Sequence, residues 1–201
     1  MRHSRPILLI LSLLPLFTLL HMLCACGERR PAPVPRPVAY QRINLYPQQY
    51  DTVIAGTLPL MVNSSTTLRQ SSPARGVTHL SALYPRYGAT LHVTAIRCAD
   101  GATDSLLALR RQRMEVNLGD AEAKASQAAS PSGRFGVTLL RARPDCPSPL
   151  QLLAVAAPDA ADSTDIIAAT LFLATPGQQP DSLRPVIDAL QTDMLRLLDR
   201  L

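Results

Sequence analysis

The sequence contains no Gly-x-Ser-x-Gly elbow, no phosphate-cradling P-loop and no paired-histidine zinc motif. The nucleophile, nucleotide and metalloprotease chemistries that those motifs carry therefore have no signature here. Histidine is scarce, with four in all, and only His79 and His92 lie beyond the first apolar run. Lysine is scarcer still: of 20 basic residues only Lys124 is a lysine, which reads as codon bias and not as mechanism. Like charges form no block and the arginines are scattered, so the footprint of a nucleic-acid binder is missing. No internal repeat occurs. No stretch reaches the roughly 20 apolar residues of a membrane span; the longest, Ile7 to Met22, is 16 residues with Pro15 inside it.

That short run has another reading. Arg2 and Arg5 precede it and Leu23-Cys24-Ala25-Cys26 ends it, which is the order of a secretory signal peptide: basic start, apolar stretch, small residues at the cut. A cysteine just after the cut makes it a lipoprotein signal, with a diacylglyceryl thioether on the thiol. Cys26 is the candidate for lipidation, because small Ala25 precedes it and branched Leu23 stands three back; Cys24 would put bulky Leu23 beside the cut. Residues 1–25 are then the signal. Loss of Arg2 and Arg5 takes Lys+Arg from 20 to 18 against 15 Asp+Glu, a net charge of +3 on the mature chain. Residues 26–37 are the lipidated cysteine and a tether in which Pro31, Pro33, Pro35 and Pro37 alternate. Polyproline II geometry over Gly27 to Pro37 reaches roughly 34 Å at about 3.1 Å per residue.

Residues 38–201 are of a size to form one domain. Alternation predicts strands at Val38–Tyr50, Val77–Leu83, Ala89–Ile96 and Phe135–Arg141. The apolar runs Leu150–Ala156 and Ile166–Ala174 add two more, the second apolar on both sides and so central in its sheet. Thr57–Val62, with Pro59, reads as an edge strand. Tyr84-Pro85 breaks the chain, Arg69–Gly76 reads as a polar loop, and Pro158–Asp165 as a hairpin connection. Asp104 is placed to cap a helix over Ser105–Leu118 that stops at Gly119. Asp120–Gly133, without an apolar face, reads as a weak helical extension or a loose loop. The last helix is the strongest: Ser182 or Asp181 caps it, and Leu183, Val186, Ile187, Leu190, Met194, Leu197, Leu198 and Leu201 share one stripe. The fold expected is α+β, a largely antiparallel sheet with two packing helices, the last at the C-terminus.

Candidate site residues are few. Cys98 and Cys146 either form a disulfide, which would stabilise by roughly 4 kcal/mol through the loop it closes, or remain as packed thiols. His92 and Cys98 with Cys146 match no metal-ligand spacing, so no metal and no cofactor is expected. A Ser–His nucleophile pair stays open, though no motif suggests one, and no catalytic residue is assigned. Tyr40, Tyr46, Tyr50, Tyr84 and Tyr87 all fall in the first half. Clustered, they would form either a protein or glycan contact or an ordinary packed group.

Three stretches carry a family resemblance: R-P-V-A-Y-Q-R-I-N-L at Arg36–Leu45, Y-P-R-Y-G-A-T-L-H-V-T at Tyr84–Thr94, and D-S-L-R-P-V-I-D-A-L-Q-T-D-M-L-R-L at Asp181–Leu197. In this order they resemble the gliding motility lipoproteins of the GldD family of Bacteroidetes, over about three quarters of the chain. The chain departs from the family at Leu58-Pro59-Leu60, where members carry an aromatic stretch, and at Arg110-Arg111-Gln112-Arg113, where they tend to carry Tyr-Lys-His. The resemblance implies a non-enzymatic cell-envelope lipoprotein supporting gliding motility or the type IX secretion machinery. Its partners would be the membrane, through the anchor, and other envelope lipoproteins or membrane proteins of that complex. A lipoprotein binding a small ligand or glycan is the second expectation, and a lipid-anchored hydrolase a third. Gly27-Glu28-Arg29-Arg30 lacks an acidic surface-export cluster, which points to a domain facing the periplasm. The phylum also attaches O-glycans at Asp-Ser/Thr pairs, which marks Ser163 first and Thr52 second as candidate acceptors.

Overall fold

The computed structural model describes residues 44–99, 101–158, 163–174 and 180–201. The expected signal peptide, Cys26, the tether and Tyr40 lie outside the described residues. Residues 44–49 carry no regular structure, with Pro47 among them, and lead into a hairpin of β1 (Tyr50–Ala55) and β2 (Leu58–Asn63). Of the strand expected at Val38–Tyr50, residues 38–43 lie outside the described residues, and among 44–50 only Tyr50 is found in a strand, which starts there and runs on to Ala55.

Among the described residues, the main sheet has seven strands. They are β3 (Thr67–Ala74), β4 (Val77–Tyr84), β5 (Ala89–Ala99), β6 (Ala123–Ala129), β7 (Phe135–Ala142), β8 (Leu150–Ala156) and β9 (Ser163–Leu173). Their order is β3-β4-β5-β9-β8-β7-β6, and every neighbouring pair is antiparallel. The run at 166–174 thus sits in the middle of the sheet, as its two-sided apolar character required. One helix, α1 (Thr103–Leu118), carries the chain from β5 across to the far edge at β6; the second, α2 (Pro180–Arg196), closes the fold. The α+β architecture with a C-terminal packing helix is the one expected.

Two of the loop expectations are corrected. Arg69–Gly76 is largely β3, and Asp120–Gly133 contains β6. Both are edge strands: β3 is exposed along its whole length and β6 from Lys124 onward. A strand with neither face buried carries no two-residue hydrophobic period, and its pairing partner alone makes it a strand. The capping expectation for α1 also changes. The N-cap position is Ala102, which supplies no side-chain cap, and Asp104 lies within the first turn. There its charge complements the positive helix end, while Gly119 does terminate the helix.

The two sheet faces differ. On the inner face, Leu91, Val93, Phe135, Val137, Leu150, Leu152, Ile167, Ala169 and Leu171 meet the stripe of α2 and the hairpin residues Leu58, Leu60 and Val62 in one core. All eight apolar residues of the expected stripe, Leu183 through Leu201, are buried. Each contributes roughly 2 kcal/mol of transfer free energy. The Met61 N–H donates to the Leu197 carbonyl at 3.3 Å, pinning the hairpin to the end of α2. The outer face holds a smaller core of Ile96, Met114, Leu153 and Ile166 under α1. Met114 is the only fully buried residue of α1. Among the described residues, no helix is long and apolar enough to cross a membrane.

Candidate functional site

Four of the five tyrosines come together where the chain enters the fold. Tyr84 ends β4, Pro85 starts a 3₁₀ turn (Pro85–Tyr87), and Gly88 closes it at φ +60°. That turn sets Tyr84 and Tyr87 nearly parallel, with ring centroids 6.2 Å apart. Tyr46 packs edge-on against both, at 6.1 Å from Tyr84 and 4.8 Å from Tyr87. Backbone bonds fasten the entering segment: the Tyr46 N–H donates to the Tyr87 hydroxyl, and the Arg86 N–H donates to the Tyr46 hydroxyl at 3.0 Å. The Arg86 guanidinium also lies over the Tyr46 ring, 4.6 Å from its centroid, a cation–π contact.

Beneath this cluster lies Asp193 of α2, 7% exposed. Its carboxylate accepts from the Tyr50 hydroxyl at 2.7 Å and from the Asn63 amide at 3.2 Å. Asn63 also donates to the Pro47 carbonyl at 3.1 Å. One node therefore joins the entering segment, β1, β2 and α2. Burial, and then the Asp193 carboxylate, push the Tyr50 phenol well above its ordinary pKa. Tyr84 is driven the same way by burial and the nearby Asp193 charge, although no hydrogen bond of ordinary length reaches its hydroxyl. Burial also raises Tyr87. The cluster is a clamp, with most of its polar atoms engaged internally; of the two readings of the tyrosines, ordinary packing is the one the geometry supports. The sequence reading missed Asp193; its one signal was a carboxylate on the flank of an apolar helix stripe, a position that demands hydrogen-bonding partners.

A second buried carboxylate, Asp165 of β9, shares its sheet face with Ile167 and Ala169 and is 3% exposed. Arg134 reaches it at 2.6 Å and Arg97 at 3.5 Å. It lines a cleft of about 330 Å³ between the Gly56-Thr57 turn and the Arg75-Gly76 turn.

The cysteines are free. Cys98 lies by Thr103 at the start of α1, with Sγ 3.3 Å from its hydroxyl, and Cys146 lies by the Leu118 carbonyl at the end of the same helix, 3.9 Å away. Sixteen helical residues span about 24 Å, whereas a disulfide requires Cα atoms within about 7 Å. Of the two readings of these cysteines, the bridge is not formed in this structure, and each thiol packs on its own. Among the described residues, no three His, Cys, Asp or Glu side chains gather as a metal site.

The two histidines stand on the outer face of β4 and β5, where α1 does not cover the sheet. His79 meets the Thr94 hydroxyl at 3.1 Å and His92 meets the Ser81 hydroxyl at 2.9 Å. The second contact is the Ser–His pair the sequence left open, but the His92 ring packs edge-on against Phe172 at 5.6 Å, and among the described residues no carboxylate is hydrogen-bonded to it. Along the step where α1 meets this face runs a groove of about 220 Å³, lined by Arg110, Arg113 and Asn117 of the helix and His92, Thr170 and Phe172 of the sheet. Gln151, fully buried under the helix, fixes its position: its amide donates to the Met114 carbonyl at 2.9 Å and its carbonyl accepts from Asn117 at 3.3 Å. Arg110 and Arg113, one turn apart, were overlooked as a pair in the sequence; spacing i, i+3 was the available signal.

Of the glycan acceptors, Thr52 is exposed on β1, while Ser163 is the first residue of β9, paired with Ala99 and half-buried. Ser163 belongs to the sheet and not to a free connection, and its neighbour Thr164 is buried. A family model described as gliding motility lipoprotein GldD matches residues 30–201. No curated protein matches the chain.

Proposed function

The chain belongs to the gliding motility lipoprotein GldD family, and from that membership we propose that it is a lipid-anchored component of the cell-envelope machinery for gliding, linked to type IX secretion. The observation that carries the reading is the extent of the match, which takes in every described strand and helix. Cys26 is the acylated residue, residues 27–37 are the tether, and the folded domain faces the periplasm. No catalytic residue is assigned. The partners are other lipoproteins or membrane proteins of the same complex. The clamp at Tyr46, Tyr87 and Asp193 suits this role, since it fastens the first described residues to the folded domain.

Replacing Cys26 by Ala in the native host tests the anchor, and a clean deletion tests the role. The Cys26→Ala precursor is expected to stay uncleaved, to lose acyl label and to fail to restore gliding and secretion in the deletion strain. Normal maturation with retained detergent partitioning would remove Cys26 as the anchor; intact gliding and secretion in the deletion strain would remove the motility role. Two acyl chains hold a protein on a bilayer where one is marginal, at about 0.8 kcal/mol per buried methylene.

A further inference from the structure

Among the described residues, the outer-face groove carries cations with no anion to answer them. Arg110 and Arg113 form its helical wall, and no described Asp or Glu lines it. Neither arginine takes part in any of the ion pairs found among the described residues. Arg110 is half-buried, and its Nε is shielded from solvent without an acceptor. Burial, and then the charge of Arg113, both lower the Arg110 pKa. Two guanidinium groups one turn apart repel each other, and a shielded N–H without an acceptor is a cost most folds avoid. An oxyanion between the two would relieve both, because guanidinium groups recognise carboxylate and phosphate through paired, charge-assisted hydrogen bonds.

The surroundings fit such a ligand. The Asn117 amide, the Thr170 hydroxyl and the His92 ring add polar groups along the same groove, and Phe172, 39% exposed, lines its sheet side. A volume of about 220 Å³ suits a single anionic group with a small substituent. We propose that the groove between α1 and the β5–β9 ladder binds an oxyanion, a phosphate or carboxylate borne by a small ligand, with Arg110 and Arg113 as its paired donors.

The test uses the full-length lipoprotein in non-ionic detergent, with binding followed by calorimetry and by thermal unfolding at matched ionic strength. Inorganic phosphate and glucuronate probe the soluble sources, and sedimentation with vesicles of phosphatidylglycerol against phosphatidylcholine probes a lipid headgroup. Saturable binding of at least one probe is expected, weakened about tenfold or more by Arg113→Gln and by Arg110→Gln, since each substitution removes a charge-assisted contact. Arg111→Gln, outside the groove lining, should bind as the parent does. Arg113 is exposed, so Arg113→Gln keeps the test sound even if Arg110→Gln does not fold. Soluble binding that depends on Arg113 identifies a free anion; binding confined to anionic vesicles with the same dependence identifies a headgroup. Absence of Arg113-dependent binding to phosphate, glucuronate and vesicles alike would overturn the proposal. The readout is binding in vitro, so it can fail while the motility role stands, and the reverse.

Discussion

The Asp193 node admits a quantitative test. The carboxylate accepts two hydrogen bonds, from Tyr50 at 2.7 Å and Asn63 at 3.2 Å, and no cation pairs with it among the described residues. Hydrogen bonds to a charged group contribute about 1.5–3 kcal/mol each. In Asp193→Asn the remaining oxygen can keep the Tyr50 bond at neutral strength, a loss of about 1 kcal/mol, while its amide meets the Asn63 amide, a loss of about 1 more. Removing an unpaired buried charge returns part of this. The net expectation is destabilisation by about 1–2 kcal/mol, with Tyr50→Phe costing about 1.5 kcal/mol. The double variant should lose less than the two together, leaving a coupling of about 1 kcal/mol. Urea unfolding followed by circular dichroism gives all four corners of the cycle. A coupling within about 0.3 kcal/mol of zero would refute the bond as an energetic unit. An Asp193→Asn variant more stable than the parent would show that desolvation of the carboxylate outweighs its hydrogen bonds. A second readout is specific to the contact: Asp193→Asn should bring the Tyr50 phenol down in pH, as its ultraviolet titration would show.

Three further outcomes follow from the same geometry. Tyr50, Tyr84 and Tyr87 all have raised pKa values in the fold; the unfolded chain therefore loses those protons first, so stability is full below about pH 10 and falls as pH rises beyond it. Urea midpoints across the alkaline range should show that slope, and a flat profile would contradict it. Gly88→Ala should destabilise by roughly 2–3 kcal/mol, because an L residue at φ +60° is strained and its Cβ would stand 2.9 Å from the Ala174 carbonyl oxygen; a change in thermal midpoint of under a degree would count against this. Intact-mass analysis of protein from the native host should show a glycan on Thr52, exposed on β1, and a mature mass equal to polypeptide plus acyl chains would remove both Thr52 and Ser163 as acceptors.

What the sequence disclosed follows from where burial imposes a pattern. The stripe from Leu183 to Leu201 was legible because every member is buried against one core. Leu91, Val93 and Ala95 of β5, and Phe135, Val137 and Leu139 of β7, were legible for the same reason. Thr67–Ala74 and Ala123–Ala129 were not, because edge strands owe their conformation to backbone pairing with β4 and β7, which a hydrophobic period does not record. The helix between Cys98 and Cys146 was legible, but not that the two cysteines sit at its opposite ends. The tyrosines were noticed as a group, but Asp193, more than a hundred residues away in the chain, was the partner that a local reading could not supply.

The unequal treatment of the two sheet faces bears on where this protein meets others. The inner face spends its apolar residues on α2 and the β1–β2 hairpin, and the clamp around Asp193 locks that side to the entering chain. The outer face is half-covered by a helix with a single fully buried residue, and β4 and β5 present His79, Ser81, His92 and Thr94 beside it. Leu109 and Val116 of α1 are left 52% and 72% exposed. A core-bound face tolerates little change without loss of stability, whereas polar side chains on an open sheet can vary with whatever they bind. Substitutions on α1 and the strands beside it should therefore separate binding at the proposed groove from folding.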